Sequence, residues 1–489
     1  MPATPPREAP ATTPEAPEPA TPQAPATPSG PAAGTPAGPA GDQAGPGGTP
    51  AGPAGDQAGP GGGRLARRFP ALASPVFRRF LAGAMIGSIG SWMQATAQGW
   101  LVLEITNSPA AMGLVSALQA LPILLLSAFA GVIADRVDRR RLLTRTQFLA
   151  ACVALALAVL TTTGRIEYWH MAVLALAAGT VTAIQTPAYQ AIVASLVDRS
   201  AIGSAVALNS AQFNLSRIIG PSIAGAAIAA GGLGLAFWGN AFALMLVVGI
   251  LATLRVTPQP ELDRRQASVW ANLLDGVRYV RSRRVIAALV LLAAVPALFL
   301  LNYLVLLPVF ARDVLAIGAQ GLGVLSGGIG IGALAGALGL AVLRPSGGSG
   351  RSLLGALVIG SLAEIVFAAS RSLPLSVAAL ALLGACQVLY YATTNTLLQV
   401  LVPPRLRGRV MSLYILTSWG LIPVGNVLAG IVAERSSPTL ALMAGGAVTL
   451  VAVVGVALAV PELRRIGAGA GASGGALVTP PAQEIAGAD

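Results

Sequence analysis

The sequence predicts an all-α membrane protein with twelve transmembrane helices in two six-helix bundles. Three observations predict it. Hydrophobic residues make up 54% of the chain and charged ones only 10%, against roughly 25% charged in a soluble domain. Apolar segments recur along the chain, each near the roughly 20 residues that cross a bilayer's hydrocarbon. One long charged stretch, 255–284, divides those segments six and six. The period-two alternation of a membrane barrel is absent, so the spans are read as helices.

In chain order, residues 1–63 are rich in Pro, Ala, Gly and Thr and hold almost no large apolar residue. Such a stretch cannot bury a core and is expected to be disordered. Within it, 35–48 recurs as 49–62. The N-terminal bundle, 64–254, carries spans at 80–103, 110–134, 142–163, 168–193, 201–230 and 233–254. In the linker, 255–284, Ser268 can cap a helix, after which Trp270, Leu273, Leu274, Val277 and Val280 recur at helical spacing. That suits a helix on the cytoplasmic membrane surface, the alternative being a charged linker with incidental leucines. The C-terminal bundle, 285–461, carries spans at 285–311, 320–343, 352–369, 373–401, 410–433 and 439–460, and 462–489 is a second disordered tail.

Arginine placement sets the orientation. Arg136, Arg139, Arg140, Arg141 and Arg145 lie between spans two and three, and Arg405, Arg407 and Arg409 between ten and eleven. The linker adds seven more, whereas the opposite face has only Arg165, Arg312, Arg371 and Arg435. By the positive-inside rule both termini and the linker are cytoplasmic.

The halves read as repeats. The segment from Gln190, ahead of Asn209-Ser210 and Ala224-Gly225, has a partner in the segment from Gln399, ahead of Arg409-Val410-Met411-Ser412 and Ala429-Gly430. Two parallel bundles rocking about one midplane site is a known transporter design.

Several function classes fall away. All 31 basic residues are arginine, so no Walker A lysine exists and an ATP-driven pump would need a separate ATPase. The arginines sit in short turns and form no basic face for nucleic acid. Cys152 and Cys386 lie within apolar runs and read as core residues, neither disulfide nor metal ligands. His170, beside Tyr168 and Trp169, reads as an interfacial residue. No cofactor and no enzymatic constellation is expected.

The loop Gly131-x-x-Ala134-Asp135-Arg136-x-x-Arg139-Arg140-Arg141 resembles the loop between the second and third helices of major facilitator superfamily transporters. Gly99-Trp100-Leu101-Val102-Leu103 followed by Thr106-Asn107-Ser108, Asn209-Ser210 followed by Arg217-Ile-Ile-Gly220-Pro221, Gly276-Val277-Arg278-Tyr279-Val280 and Arg407-Gly408-Arg409-Val410-Met411-Ser412 extend the likeness. The set is most similar to the enterobactin-exporter-like, or transmembrane secretion effector, branch, which includes macrolide efflux proteins. The resemblance implies a cytoplasmic gate. Asp135, with Gly131, Arg136 and Arg139, would face the start of span eleven at Arg407, Gly408 and Arg409, where a helix dipole and arginine favour a carboxylate. The alternative is a stop-transfer turn that only sets topology. The family's usual turn glycine is Asp138 here.

Arg217, Gly220, Pro221 and Gly225 resemble the Gly-x-x-x-Gly-Pro element of antiporters, with Ser216 for its first glycine. Pro221 bends the helix and the small residues admit a neighbour. Arg217 sits about a turn inside span five, where it needs a partner, water or a substrate contact. Glu364 is the clearest carboxylate amid apolar sequence and is the candidate for proton coupling. Gln94, Gln98, Gln185, Tyr189, Asn302, Tyr303, Gln387, Tyr390, Tyr391 and Asn395 are candidates for a substrate cavity, or for hydrogen bonds between helices. With no charged cluster among them, a neutral or weakly charged amphipathic substrate is expected.

The reading is a monomeric secondary transporter of the bacterial inner membrane, with the lipid bilayer as its surroundings. It exports a small-molecule substrate, such as a siderophore, drug or metabolite, in exchange for protons. The alternatives are an importer or facilitator of the same fold, and a non-transporting membrane protein that recruits a partner through its tail.

Overall fold

The computed structural model describes residues 69–254, 269–343 and 349–466, so both tails and the first part of the linker, 255–268, lie outside it. The described chain is helical. Among its residues, ten helices are long and apolar enough to cross a membrane, which makes this a multi-pass membrane protein.

In the N-terminal half, α1 is Pro75–Thr106, α2 Pro109–Arg136, α3 Arg139–Thr162, α4 Tyr168–Ser195 and α5 Ile202–Thr253. Helix starts follow local chemistry. Ser74 and Ser108 each accept a hydrogen bond from the first turn and are followed by proline, and Asp138 accepts from Arg141 N at 2.7 Å. His170 has a role the sequence did not reveal. Its Nδ1 accepts from Glu167 N–H at 3.1 Å while its ring stacks on Trp169, completing a capping box. The 52-residue α5 turns at Gly231 and Gly232, and Gly232 holds φ of 76°, a conformation open to glycine. The turn falls between the fifth and sixth apolar segments of the sequence.

The linker helix α6 is Val269–Ser282, followed by α7 Arg284–Phe299, α8 Tyr303–Val309, α9 Gly318–Leu343, α10 Gly350–Ala369, α11 Leu373–Leu401, α12 Pro404–Trp419, α13 Ile422–Arg435, α14 Pro438–Ala459 and α15 Pro461–Arg465. Two expected continuous spans are broken. The run 285–311 is interrupted after Phe299 and ends in a π-turn at Phe310–Val314, and 410–433 is interrupted at Gly420 and Leu421. Pro296, Pro308 and Pro423 remove backbone donors nearby. Asn302 Nδ2 donates to Leu298 O at 2.6 Å and so satisfies one freed carbonyl. The two breaks meet, since a Cβ on Gly425 would lie 2.7 Å from Asn302 Oδ1.

Chain ends cluster at two opposite poles. At one, Ser74 Oγ donates to Leu196 O at 3.1 Å and Arg140 Nη1 to Leu254 O at 2.5 Å. At the other, Arg312 Nη1 donates to Leu103 O at 3.2 Å and Arg371 Nη2 to Thr439 Oγ1 at 3.4 Å. The first is the arginine-rich pole and the second the arginine-poor pole. Within each half the helices pack closely, α1 on α5 and α2 on α4, then α9 on α11 and α10 on both α11 and α14. The halves meet along two seams, α2 against α13 and α5 against α9.

Helix α6 packs on α12 and α7. Arg409 Nη1 donates to Asp275 Oδ2 at 2.7 Å, and Val280 is buried. One face of the linker helix is therefore spent on protein, while Leu274 on another stays exposed.

Candidate functional site: a cavity between two halves

Two adjoining cavities open from the α1 wall. The larger, about 520 Å³, lies within the N-terminal half and is lined by Gln94, Gln98, Gln119, Gln147, Gln185, Tyr189 and Asn240 among others. The smaller, about 310 Å³, lies between the halves and is lined by Arg217, Pro221, Leu304, Pro308, Ser326 and Asn426 among others. Trp92, Ala95, Gln98 and Gln119 line both, so the two are parts of one space. Volumes of this order suit small organic ligands.

The larger chamber is unusually rich in carboxamides. Gln94 and Gln98 are one turn apart on α1 and share its inner face. Asn240 Nδ2 donates to Gln94 Oε1 at 2.7 Å, and Tyr189 Oη donates to Asn209 Oδ1 at 2.6 Å. Asn240 Oδ1 and Gln147 Oε1 are shielded and make no hydrogen bond. These walls offer neutral donors and acceptors with spare capacity, set beside Trp92 and Phe213, whose rings meet edge-on at 5.9 Å.

Gln94, Gln98, Gln185 and Tyr189 all line the larger chamber. The C-terminal candidates differ, because none of them lines these two chambers. Asn302 braces the helix break, and Tyr303 and Tyr390 are buried inside their own bundle. Gln387 stands beside the Tyr303 hydroxyl without forming a hydrogen bond of good geometry. Asn395 accepts from Gln399 one turn on. Tyr391 stacks on Trp419 at 5.7 Å, and Tyr390 packs on it from the other side. Lateral polar contacts within a bundle and cavity contacts draw on the same residue types, so composition could not separate them.

Glu364 is fully buried, and neither carboxylate oxygen has a hydrogen-bond partner. It lies against Gly446 of α14, where a Cβ would come within 3.2 Å of Oε2, and within electrostatic reach of Tyr303. Gly220 and Gly225 make close approach possible. Gly220 backs onto Trp92 of α1, and a Cβ on Gly225 would lie 2.9 Å from Ala319 O of α9. The antiporter-like element therefore forms part of a seam between the halves.

At the arginine-poor pole the halves are tied by polar contacts that sequence reasoning missed. Ser108, the N-cap of α2, donates to Glu434 at the end of α13, and Ala110 N–H donates to the same oxygen at 3.1 Å. Arg312 Nη2 donates to Asn107 Oδ1 at 2.5 Å, its Nε to Asp313 at 2.6 Å, and Asn426 Nδ2 to Ser116 Oγ at 2.9 Å. The adjacent Glu434 and Arg435 at the end of an apolar run were the available signal. At the arginine-rich pole, among the described residues, no hydrogen bond or ion pair joins the halves. Arg407 and Gly408 are exposed and Arg409 is held by Asp275. Arg139 opens α3. The side chains of Gly131, Asp135 and Arg136 lie outside the described residues. Among the described residues no His, Cys, Asp and Glu group could hold a metal ion.

Residues 66–480 match the profile of a family described as transmembrane secretion effector. The chain is 28% identical to the staphyloferrin A transporter of Staphylococcus aureus over 73% of this chain and 89% of that protein. It is 28% identical to the multidrug efflux pump Tap of Mycolicibacterium fortuitum, over 79% and 96%. It is 26% identical to the enterobactin exporter EntS of Shigella flexneri, over 82% and 94%. Among solved structures it is similar in fold to a bacterial homologue of the iron transporter ferroportin, with TM-score 0.60, 17% identity and coverage of 80% and 98%. A bacterial homologue of the lysosomal transporter Spinster gives TM-score 0.61 at 14% identity, over 83% and 97%.

Proposed function

We propose that this chain, which belongs to the transmembrane secretion effector family of the major facilitator superfamily, exports an organic small molecule across the bacterial inner membrane by alternating access coupled to proton entry. It is a membrane transporter of small molecules and not an enzyme. Its direction, coupling and cargo are the parts proposed.

The observation that carries the reading is the asymmetry of the cavity. Cross-half bonds close the arginine-poor pole and none is found among the described residues at the arginine-rich one. With arginines on the cytoplasmic side, the cavity faces the cytoplasm and is ready to load cargo there. Adding α1 to the ten apolar helices, and dividing α5 at Gly232, supports a count of twelve spans, and an even count with arginine-rich turns supports cytoplasmic termini. Closing the arginine-rich pole and breaking the Glu434 and Arg312 contacts then releases the cargo outside. The names of Tap and EntS, a multidrug efflux pump and an enterobactin exporter, support export.

Glu364 is the proposed proton carrier. Its unpartnered, fully buried carboxyl group makes the ionised form depend on water or a partner arriving when the bundle rearranges. The chain works as a monomer, since one chain supplies both halves. Inverted vesicles test the reading. An imposed pH gradient should drive accumulation of a compound whose secretion by cells depends on this protein. Accumulation independent of the gradient would sink antiport in favour of a facilitator, and uptake in right-side-out vesicles alone would favour an importer.

A further inference from the structure

Among the described residues lining the two chambers, Arg217 is the only charged one. Among the described residues it pairs with no carboxylate. Among the described residues the ion pairs are Arg312 with Asp313 and Arg409 with Asp275. Its Nε and Nη2 are shielded from solvent and make no hydrogen bond. Those two N–H groups form one edge of the guanidinium, the edge that takes a carboxylate by two parallel hydrogen bonds. An unpaired cation inside a membrane protein is costly, and its retention calls for a partner. Glu364 is not that partner, because both its oxygens are themselves without one.

Arg217 has aromatic side chains near it on its own half and apolar ones across the chamber. On its own half, Phe213 lies one helical turn back along α5 and meets Trp92 at 5.9 Å. On the opposite half, Leu304, Val305, Leu307 and Pro308 line the chamber that Arg217 lines. The carboxamide chamber adjoins through Gln98 and Gln119.

We propose that Arg217 is an anion subsite, and that the transported molecule carries a carboxylate or comparable oxyanion next to a planar or aromatic body. The anionic group satisfies the Nε–Nη2 edge once the side chain turns into the cavity it lines. The planar body lies against the Trp92–Phe213 surface, and uncharged polar groups extend toward Gln94, Gln147 and Asn240. Because Arg217 lines a chamber walled by both halves, an anion bound there also bears on how the halves approach. This narrows the neutral or weakly charged amphipathic substrate expected from the sequence to a singly anionic one, and it rests on the reading of this chain as a transporter.

The test uses the purified full-length protein in lipid nanodiscs and a matched pair of fluorescent probes, dansylglycine and dansylglycinamide. They differ only in exchanging a carboxylate for a carboxamide. The wild type should bind the acid at least about tenfold more tightly than the amide, the effect of one charge-assisted two-pronged contact. Arg217→Gln should bind the two alike, and Arg217→Lys should keep a reduced preference for the acid. Equal binding of both probes by the wild type overturns the proposal without recourse to any variant. So does an acid preference that survives in Arg217→Gln at unchanged melting temperature. Acid preference without gradient-driven accumulation in inverted vesicles would sink proton-coupled export and leave the subsite standing. The reverse pair of results would sink the subsite and leave export standing.

Discussion

Glu434 is a carboxylate set at the N-terminus of a helix from the opposite half, where it meets the Ser108 hydroxyl and the Ala110 N–H. Hydrogen bonds and the positive end of the α2 dipole hold it together. Glu434→Gln keeps the shape and removes the charge. The closed arginine-poor pole should lose about 1 kcal/mol, a shift of about fivefold toward the open form. A thiol introduced by Ser326→Cys in a background lacking Cys152 and Cys386 should then react faster with an impermeant reagent added from outside. Unchanged reactivity would remove Glu434 from the closure. Glu364→Gln asks a different question. The amide fills the same buried space against Gly446 but cannot carry a proton. Gradient-driven accumulation should fall by more than about tenfold while counterflow exchange of cargo continues. Equal loss of both would assign Glu364 to packing.

At the scale of elements, the broken helices bring the C-terminal half together. The interruption between α7 and α8 and that between α12 and α13 face each other through Gly425, Leu298 and Asn302. Gly425→Val would drive a side chain into the Leu298 carbonyl and the Asn302 side chain. A loss of about 1–3 kcal/mol is expected, read as a lower melting temperature, with Asn302 unable to satisfy its carbonyl. An unchanged melting temperature would mean that the breaks do not depend on each other. Hydropathy could not reveal these breaks, because an apolar run has the same composition whether it is one helix or two. It did locate the apolar segments and the turn at Gly231 and Gly232, where length and glycine agree. The N-terminal carboxamides were legible because Gln94 and Gln98 fall one turn apart on an otherwise apolar helix. The cross-half contacts were not, because Ser108, Asn426 and Glu434 acquire partners only when two distant segments meet. Helix α6 lies between these cases. Its apolar spacing was readable, and its docking through Asp275 and Arg409 was not.

For the proposed alternating access the whole molecule must solve one mechanical problem: two halves part at one pole as they meet at the other. The contacts at the arginine-poor pole put a carboxylate from the end of α13 on the first turn of α2. The internal repeat proposes the inverse at the arginine-rich pole, where Asp135 at the end of α2 would meet the first turn of α12. In the cytoplasm-facing state that second contact is expected to be open, and Arg409 is occupied with Asp275. Closing would bring a further carboxylate to the same helix start. Asp135→Asn should therefore insert and orient normally, since the neighbouring arginines set topology, yet transport at a small fraction of the wild-type rate. Spin labels placed by Arg145→Cys and Arg405→Cys should report a distance that shortens when cargo is trapped outward in the wild type and stays long in Asp135→Asn. Asp275→Asn should leave that closure possible and only loosen α6, at about 1 kcal/mol or less for so exposed a pair. Normal transport and normal shortening in Asp135→Asn would reduce 131–141 to a topology signal and leave the arginine-poor contacts as the transporter's only gate of this kind.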